Sequence, residues 1–218
     1  MKQPLLKFCG NHSLNDLALS IQSKAHFIGI VFAKESRRSV IVSEAEVWFR
    51  KIGLRAYQKL VAVFVNSPAA VIQDAAMRLP IDVIQCHGNE TVDEIVDLKL
   101  QVKKPIWKAI HQDQHTVFKM RKYEGVVDGF IIDTKTVQWG GSGISFDWKH
   151  IPLYMEEAKR QGVHCFIAGG IGPDNIDHLL AYEPDGIDIA SGIETELKKD
   201  PVKIRQIERK AGVIYETT

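Results

Sequence analysis

The chain has 218 residues, enough to bury a sizeable core in one domain. Hydrophobic residues make up 45% and charged residues 25%, a soluble globular composition that excludes disordered and fibrous classes. The 28 lysines and arginines nearly balance the 27 aspartates and glutamates, so the net charge of +1 gives no basic excess for nucleic acid or an anionic membrane. We therefore expect a small-molecule ligand, and neither nucleic acid nor a membrane as partner.

The cysteines predict a reducing compartment. Cys9, Cys86 and Cys165 are widely spaced and contain no CxxC pair, which argues against disulfides and a structural zinc site. Residues 1–10 lack the apolar core of a signal peptide, and no run approaches the roughly 18 apolar residues that span a bilayer. We expect free thiols and a cytoplasmic protein.

Eight short apolar, β-rich runs recur along the chain, and segments with helical spacing separate them. The runs are Leu5–Cys9, Phe27–Phe32, Leu60–Val65, Ile81–Cys86, Pro105–Ile110, Asp128–Asp133, His164–Ala168 and Gly186–Ser191. Helix starts are predicted by the capping-box pairs Ser43/Glu46 and Thr91/Glu94, and by the cap–proline pairs Ser67–Pro68 and Asp200–Pro201.

The alternation predicts an α/β protein with a parallel sheet. Eight strand–helix units in 218 residues average about 27 residues each, near the compact end for a (βα)8 TIM barrel. An open, doubly wound sheet is the alternative, because both folds alternate strand and helix. Eight units with no leftover segment favour the closed barrel, and the absence of a linker-like stretch predicts one catalytic domain over residues 1–218.

The residues at the ends of the predicted strands are polar or small, and in a barrel these ends form the active site. Glycine-rich turns follow strands six, seven and eight, at Gly140–Gly143, Gly169–Gly170 and Ser191–Gly192. Glycine can simply make tight turns, but two such turns after the last two strands favour phosphate binding by bare amides. Gly170, Ser191 and Gly192 are thus predicted to bind substrate. No nucleotide-binding glycine motif is present.

Several segments together resemble the phosphoribosylanthranilate isomerase family over nearly the whole chain. They are Lys7–Gly10, Gly29–Phe32 with Ser36–Arg38, Val63–Asn66, Gln85–Gly88, Ile132–Thr134, Gly140–Gly143 with Phe146–Trp148, Ala168–Gly170 and Asp188–Glu194. Each segment alone is weak evidence for the family, whereas the order and spacing of all the segments along the chain are highly specific for it. The family's fold is the (βα)8 barrel.

The resemblance implies an Amadori rearrangement of N-(5-phosphoribosyl)anthranilate to the 1-deoxyribulose phosphate in tryptophan biosynthesis. An acid protonates the ribose ring oxygen, and a base removes the C2 proton from the resulting iminium ion. By resemblance Cys9 is the base, Asp133 the acid and Arg38 the residue that holds the anthranilate carboxylate. The iminium nitrogen is the electron sink, so the resemblance implies no metal and no cofactor.

Each of these residues also has a plainer interpretation. A free cysteine is usually a buried small hydrophobe, the interpretation given to Cys86 and Cys165, and only Cys9 precedes a glycine in the family motif. Lys7, two residues back, is a candidate to favour the Cys9 thiolate or a partner for a carboxylate. Asp133 ends an apolar strand that could desolvate it, or it caps a turn. Arg38 otherwise belongs to a solvated basic loop.

The roles of two further residues, and the effects of several departures from the family pattern, stay open. His87 fits either a pocket residue or a structural histidine, and Asp188 receives no chemical step. The sequence departs from the family pattern at five positions, which leave the detail of the pocket open. They are Asn11, Ser39, Cys86, Asn89 and Gly172. Apolar residues on the outer helices fit packing and subunit association equally.

The competing functions are an indole-glycerol-phosphate synthase, a pentose-phosphate epimerase, a non-catalytic phosphosugar-binding module, and action on a related aminoaldose phosphate. The synthase would require a catalytic lysine and glutamates at the strand ends, and the epimerase would require metal-binding histidines or paired aspartates there. The Cys9/Asp133 pair argues against these two and against a module that has lost its chemistry.

Overall fold

A computed structural model describes residues 3–133 and 148–212 of the chain. Eight parallel strands in sequential order form a closed barrel. They are β1 (Leu5–Phe8), β2 (Phe27–Val31), β3 (Lys59–Phe64), β4 (Ile81–Cys86), β5 (Ile106–His111), β6 (Gly129–Asp133), β7 (His164–Ala168) and β8 (Gly186–Ile189). β1 pairs with β8 in parallel, with Leu5 opposite Gly186 and Phe8 opposite Ile189. This pairing closes the sheet, confirms the predicted barrel and rules out the open sheet.

Helices follow the strands and cover the outside of the barrel. They are α1 (Leu14–Gln22), α2 (Val42–Lys51), α3 (Ala69–Arg78), α4 (Val92–Val102), α5 (Thr116–Lys122), α6 (Ile151–Gln161), α7 (Ile176–Leu180) and α8 (Pro201–Lys210). Among the described helices, none combines the length and hydropathy needed to cross a bilayer.

Two of the four predicted helix starts are confirmed. Thr91 and Glu94 form a reciprocal capping box at α4, and Asp200 caps α8 with Pro201 in its first turn.

The other two predicted starts are wrong by one or two residues. α2 follows an extended Ile41, so Ser43 lies inside its first turn rather than at the cap. Pro68 has a non-helical ψ of 141° and occupies the cap position of α3, so that helix starts one residue later than predicted.

The strands alternate their side chains between two packed regions, as the twofold period of a strand requires. One group fills the barrel interior: Cys9, Phe27, Val61, Val63, Val83, Trp107, Ala109, Ile131, Phe166 and Ala168. The other lies between the strands and the helices, where Phe8, Ile30 and Ile132 are fully buried. Both faces of the sheet are therefore covered, which explains the continuous apolar runs.

The chain between β8 and α8 contains a small hairpin that the sequence did not predict. A 3-10 turn over Ser191–Ile193 leads into β9 (Glu194–Thr195), which pairs antiparallel with β10 (Lys198–Lys199). β8 itself ends at Ile189, two residues earlier than predicted. The hairpin lies at the carboxyl end of the barrel strands and places Glu194 and Lys199 beside the end of β1.

Candidate active site

A cavity of about 790 Å³ opens where the carboxyl ends of the strands meet. Five of the six site residues predicted from the sequence line it: Cys9, Arg38, Asp133, Gly170 and Ser191. The sixth, Gly192, packs against backbone instead, because a Cβ there would lie 1.8 Å from the carbonyl oxygen of Ile171. The Gly140–Gly143 turn lies outside the described residues.

Cys9 follows β1 directly, and two glycines make room for it. A Cβ on Gly29 of β2 would lie 2.6 Å from the Cys9 sulfur. Gly10 has a φ of +76° and a Cβ there would lie 2.4 Å from Cδ of Arg38. The left-handed backbone and the close approach of Arg38 both require glycine at position 10. The Cys9–Gly10 pair thus brings the thiol and the stem of Arg38 together.

Beside the thiol lies a buried ion pair. Lys7 Nζ donates to Asp188 Oδ2 at 2.8 Å, and the Lys7 side chain has no solvent exposure. Burial disfavours the charged lysine, but Asp188 and Cys9 outweigh it and raise the Lys7 pKa. Lys7 is therefore a cation. It pairs with the Asp188 carboxylate and also interacts with the Cys9 thiolate, so both interpretations of Lys7 drawn from the sequence apply.

Burial raises the pKa of the Cys9 thiol above its ordinary value. Lys7 opposes this shift because it attracts the thiolate, whereas Asp188 adds to it by repulsion. The Lys7–Asp188 pair therefore holds one group that favours the thiolate and one that disfavours it. In the free protein at neutral pH the thiol is predominantly protonated.

Cys86 and Cys165 have the structural role that the sequence predicts for them. Both are buried between the strands and the helices and not inside the barrel. Burial raises the pKa of Cys86 to about 12 and that of Cys165 well above its ordinary value. Position on the strand separates these thiols from Cys9.

Asp133, the last residue of β6, faces a histidine across the cavity edge. Its Oδ2 lies 3.2 Å from Nε2 of His87, and its side chain keeps 24% of its exposure. The apolar strand before it does not desolvate it fully, and the nearer influence is the imidazole. Nδ1 of His87 lies 2.8 Å from the side-chain nitrogen of Gln85, whose oxygen is buried without a partner among the described residues.

Arg38 is held by a carboxylate that the sequence analysis did not identify. Its Nε donates to Glu194 at 2.9 Å and its Nη2 at 2.6 Å, which is a two-pronged contact. Glu194 also accepts from Lys199 Nζ at 2.8 Å, and the same Nζ donates to the carbonyl oxygen of Cys9 at 2.6 Å. Burial disfavours the Glu194 carboxylate, but Arg38 and Lys199 outweigh it and lower its pKa.

This network fixes the orientation of Arg38 and the backbone of Cys9 together. Only Nε and Nη2 of Arg38 contact Glu194, so within the described residues Nη1 is left to face a ligand in the cavity. Glu194 ends a segment that resembles the family, so sequence could have pointed to it, whereas nothing in the local sequence marks Lys199.

The glycine turn after β7 has the backbone geometry expected of it. Gly169 and Gly170 have φ values of +96° and +64°, which side chains rarely allow. Both line the cavity with Ser191 from the turn after β8. The two turns therefore present backbone to one side of the same cavity.

Asp188 is a further cavity residue whose role the sequence left open. Its Oδ2 is occupied by Lys7, while its Oδ1 is buried with no partner among residues 3–133 and 148–212. A buried acceptor without a donor is costly, so a ligand hydroxyl would find it unsatisfied.

The five departures from the family pattern lie outside the cavity lining in the described chain. Asn11 is fully buried and structural: its amide donates to the carbonyl oxygens of Phe8 at 3.0 Å and Gly29 at 2.9 Å. It joins the ends of β1 and β2. Cys86 belongs to the outer core, and a Cβ on Gly172 would make ordinary contact with Gly192.

Comparison with known proteins identifies the family. Residues 6–210 match the family model described as N-(5'phosphoribosyl)anthranilate (PRA) isomerase. The chain belongs to this family.

Curated relatives and solved structures of the N-(5'-phosphoribosyl)anthranilate isomerase family are similar over nearly their full lengths. The isomerase of Geobacillus thermodenitrificans (strain NG80-2) is 49% identical over 206 residues, covering 94% of this chain and 92% of the relative. That of Halalkalibacterium halodurans is 50% identical over 209 residues, 95% of each chain. These findings confirm the predicted family and enzyme class.

Solved family structures agree with the barrel. The isomerase of Thermotoga maritima superposes with a TM-score of 0.81 at 26% identity, covering 97% of this chain and all of that one. Another, solved in complex with reduced 1-(o-carboxyphenylamino)-1-deoxyribulose 5-phosphate, gives a TM-score of 0.79 at 24% identity, with 97% and 100% coverage.

Proposed function

We propose that this protein converts N-(5-phosphoribosyl)anthranilate to 1-(2-carboxyphenylamino)-1-deoxyribulose 5-phosphate in tryptophan biosynthesis, by an Amadori rearrangement with general acid/base catalysis. The observation that carries the proposal is that Cys9 and Asp133 line one cavity together with Arg38 and the glycine turns. The product differs only by reduction from the ligand of one solved family member, which supports this substrate class.

Asp133 is the proposed general acid that protonates the ribose ring oxygen and opens the ring. His87 and Gln85 can form hydrogen bonds that suit both the protonated and the ionised carboxyl group of Asp133. When the Gln85 amide donates to Nδ1, Nε2–H of His87 donates to an ionised Asp133. When the amide is turned, Nδ1–H donates to the Gln85 oxygen and Nε2 accepts from protonated Asp133. The two amide orientations thus match the two protonation states of the acid.

Cys9 is the proposed base that removes the C2 proton of the iminium ion to give the enamine. The thiol needs help to ionise because its pKa is raised by burial. Lys7 attracts the thiolate from below, and the iminium cation adds a second positive charge when it forms in the cavity. The base is therefore favoured at the step that requires it. The iminium nitrogen accepts the electron pair, so the scheme uses no metal and no cofactor.

The two ends of the substrate have separate recognition groups. Arg38, oriented by Glu194, presents its guanidinium to the anthranilate carboxylate. The Gly169–Gly170 turn and Ser191, with Gly192 behind them, present amides to the phosphate. The unsatisfied Oδ1 of Asp188 accepts a sugar hydroxyl between these ends.

The competing barrel functions fit the cavity less well. An indole-glycerol-phosphate synthase requires a lysine in contact with substrate, whereas Lys7 and Lys199 are buried in ion pairs. A metal-dependent epimerase could use His87 and His111 at the strand ends, but such an enzyme gives no role to Cys9 with its Lys7–Asp188 ion pair. A non-catalytic phosphosugar-binding module likewise gives these three residues no role. A related aminoaldose phosphate that lacks the anthranilate carboxylate would not use Arg38.

We further propose one catalytic domain, because the barrel takes strands from residues 5 to 189 and α8 packs on the turn after β8. The three cysteines of the chain are free and buried, which fits a reducing, cytoplasmic compartment. The proposed partner is the small phosphoribosyl substrate.

The test is turnover measured by the loss of phosphoribosylanthranilate fluorescence. Cys9→Ala is expected to lower kcat by about 10²-fold or more with little change in KM, because it removes a proton-transfer group. Asp133→Asn keeps the shape but cannot donate a carboxylic proton, so turnover should collapse while binding of a product analogue survives. Cys86→Ala, also buried, is the matched control and should keep its turnover. Near-parental turnover of Cys9→Ala or Asp133→Asn, with chemistry rate-limiting, would refute that residue's role.

A further inference from the structure

Two imidazoles and a carboxylate meet at the ends of three neighbouring strands. His87 follows β4, while His111 ends β5 directly opposite Asp133 at the end of β6. Candidate ligand atoms of the three residues all lie within 4.8 Å of one another. The sequence analysis found no metal-ligand spacing because each residue comes from a different strand, and it ended the fifth strand before His111.

The distances suit a first-row divalent metal ion. Asp133 Oδ2 lies 3.2 Å from His87 Nε2 and 3.9 Å from His111 Nδ1. Bonds of about 2.0–2.1 Å place two ligands of a tetrahedral zinc ion about 3.3 Å apart. His87 and Asp133 already have this spacing. The ligand atoms of all three residues lie within 4.8 Å of one another, so a movement of the exposed His111 ring by up to about 1.5 Å would complete the site.

Exposure and support also fit such a site. The side chains of His87, His111 and Asp133 are 23%, 44% and 24% exposed, so an ion can enter and keep water in its remaining positions. Nδ1 of His87 is held by the Gln85 amide, the outer contact that a metal-bound histidine usually has. Metal on Nε2 requires Nδ1–H, which gives a donor to the Gln85 oxygen that has no partner within the described part of the chain.

We propose that His87, His111 and Asp133 form a binding site for a divalent transition-metal ion. An ion held there occupies the carboxylate assigned as the general acid and blocks proton donation to the ring oxygen. The site is thus a reversible inhibitory site, a consequence that rests on the proposed function, whereas metal binding itself does not.

The donor set predicts which ions act. Two imidazole nitrogens and one carboxylate oxygen suit Cu²⁺, Zn²⁺, Ni²⁺ and Co²⁺, with affinity rising from Co²⁺ to Cu²⁺. Mg²⁺ and Ca²⁺ prefer oxygen ligands. They should not bind measurably at this site and should not compete with Zn²⁺ for it.

The first experiment measures binding without turnover, by calorimetric titration of the chelator-treated full chain with Zn²⁺. His111→Gln removes one ligand and is expected to weaken Zn²⁺ binding at least about 10-fold. His164→Gln is the matched control, because His164 is an exposed histidine at the opposite end of a barrel strand. It should bind Zn²⁺ like the parent. Equal affinity of His111→Gln and the parent, or absence of binding to the parent, would overturn the site.

The second experiment measures inhibition in the fluorescence assay. Zn²⁺ should abolish turnover of the parent and of His164→Gln, a chelator should restore it, and His111→Gln should need at least about 10-fold more Zn²⁺. Inhibition that is undiminished in His111→Gln would show that the inhibiting metal binds without His111 and would refute the proposal. Metal binding that depends on His111 in a protein without isomerase activity would refute the proposed function and leave the site standing.

Discussion

The substitution Lys7→Met tests whether the buried ion pair supports both the fold and the thiol. Lys7 Nζ and Asp188 Oδ2 are 2.8 Å apart in a region without solvent exposure at Lys7. At an effective dielectric constant of about 20, two unit charges at this distance attract by about 6 kcal/mol. Desolvation offsets part of this attraction. Removing one partner leaves the other charge buried and uncompensated, which costs about 3–5 kcal/mol of stability.

Urea unfolding followed by tryptophan fluorescence measures this loss, and the melting temperature should fall by about 6–20 °C. The double variant Lys7→Met/Asp188→Asn removes both charges and should recover much of the lost stability. If Lys7→Met costs less than about 1 kcal/mol, the pair does not stabilise the barrel as argued.

The same variants change the thiol in opposite directions. Lys7 lowers the pKa of Cys9 and Asp188 raises it. Alkylation of Cys9 by iodoacetamide, measured against pH by peptide mass analysis, should shift to higher pH in Lys7→Met and to lower pH in Asp188→Asn. An unchanged alkylation profile in Lys7→Met would show that the lysine does not favour the thiolate.

Arg38→Ala and Gly170→Val test the cavity, with Gly125→Val as a control, and Glu157→Gln tests the outer surface. Arg38→Ala should lower the affinity for ligands that bear the anthranilate carboxylate by about 10-fold or more, because a charged hydrogen bond is lost. The affinity for inorganic phosphate, measured by calorimetry, should stay unchanged. Gly170→Val should weaken phosphate binding, because valine is strained at the φ of +64° that this turn requires beside the cavity. Gly125→Val is the control: its φ of +74° imposes similar strain, but nothing lies within 4 Å of an added Cβ. That variant should lose stability and keep its phosphate affinity. Arg160 lowers the pKa of Glu157 from 4.5 to about 2, so this contribution to stability is complete above about pH 4.5 and is lost as pH falls toward 2. Urea unfolding of Glu157→Gln should accordingly vary less over that range than unfolding of the parent.

The sequence by itself determined the order of strands and helices and the residues at most strand ends. Continuous apolar runs, capping residues and glycine turns are local signals, because a buried parallel strand and a helix start each leave a pattern within a few residues. The position of Cys9 before Gly10 is of this kind, as are the two glycines after β7.

Only the tertiary structure decided which side chains meet. Closure of the barrel followed from the pairing of β1 with β8, more than 180 residues apart. The contact of Lys199 with the Cys9 carbonyl spans a similar separation, and the meeting of His87, His111 and Asp133 depends on three strands lying in register. Electrostatic interactions act through space, so the burial of Lys7 and the competing effects of Lys7 and Asp188 on the thiol have no counterpart in local sequence.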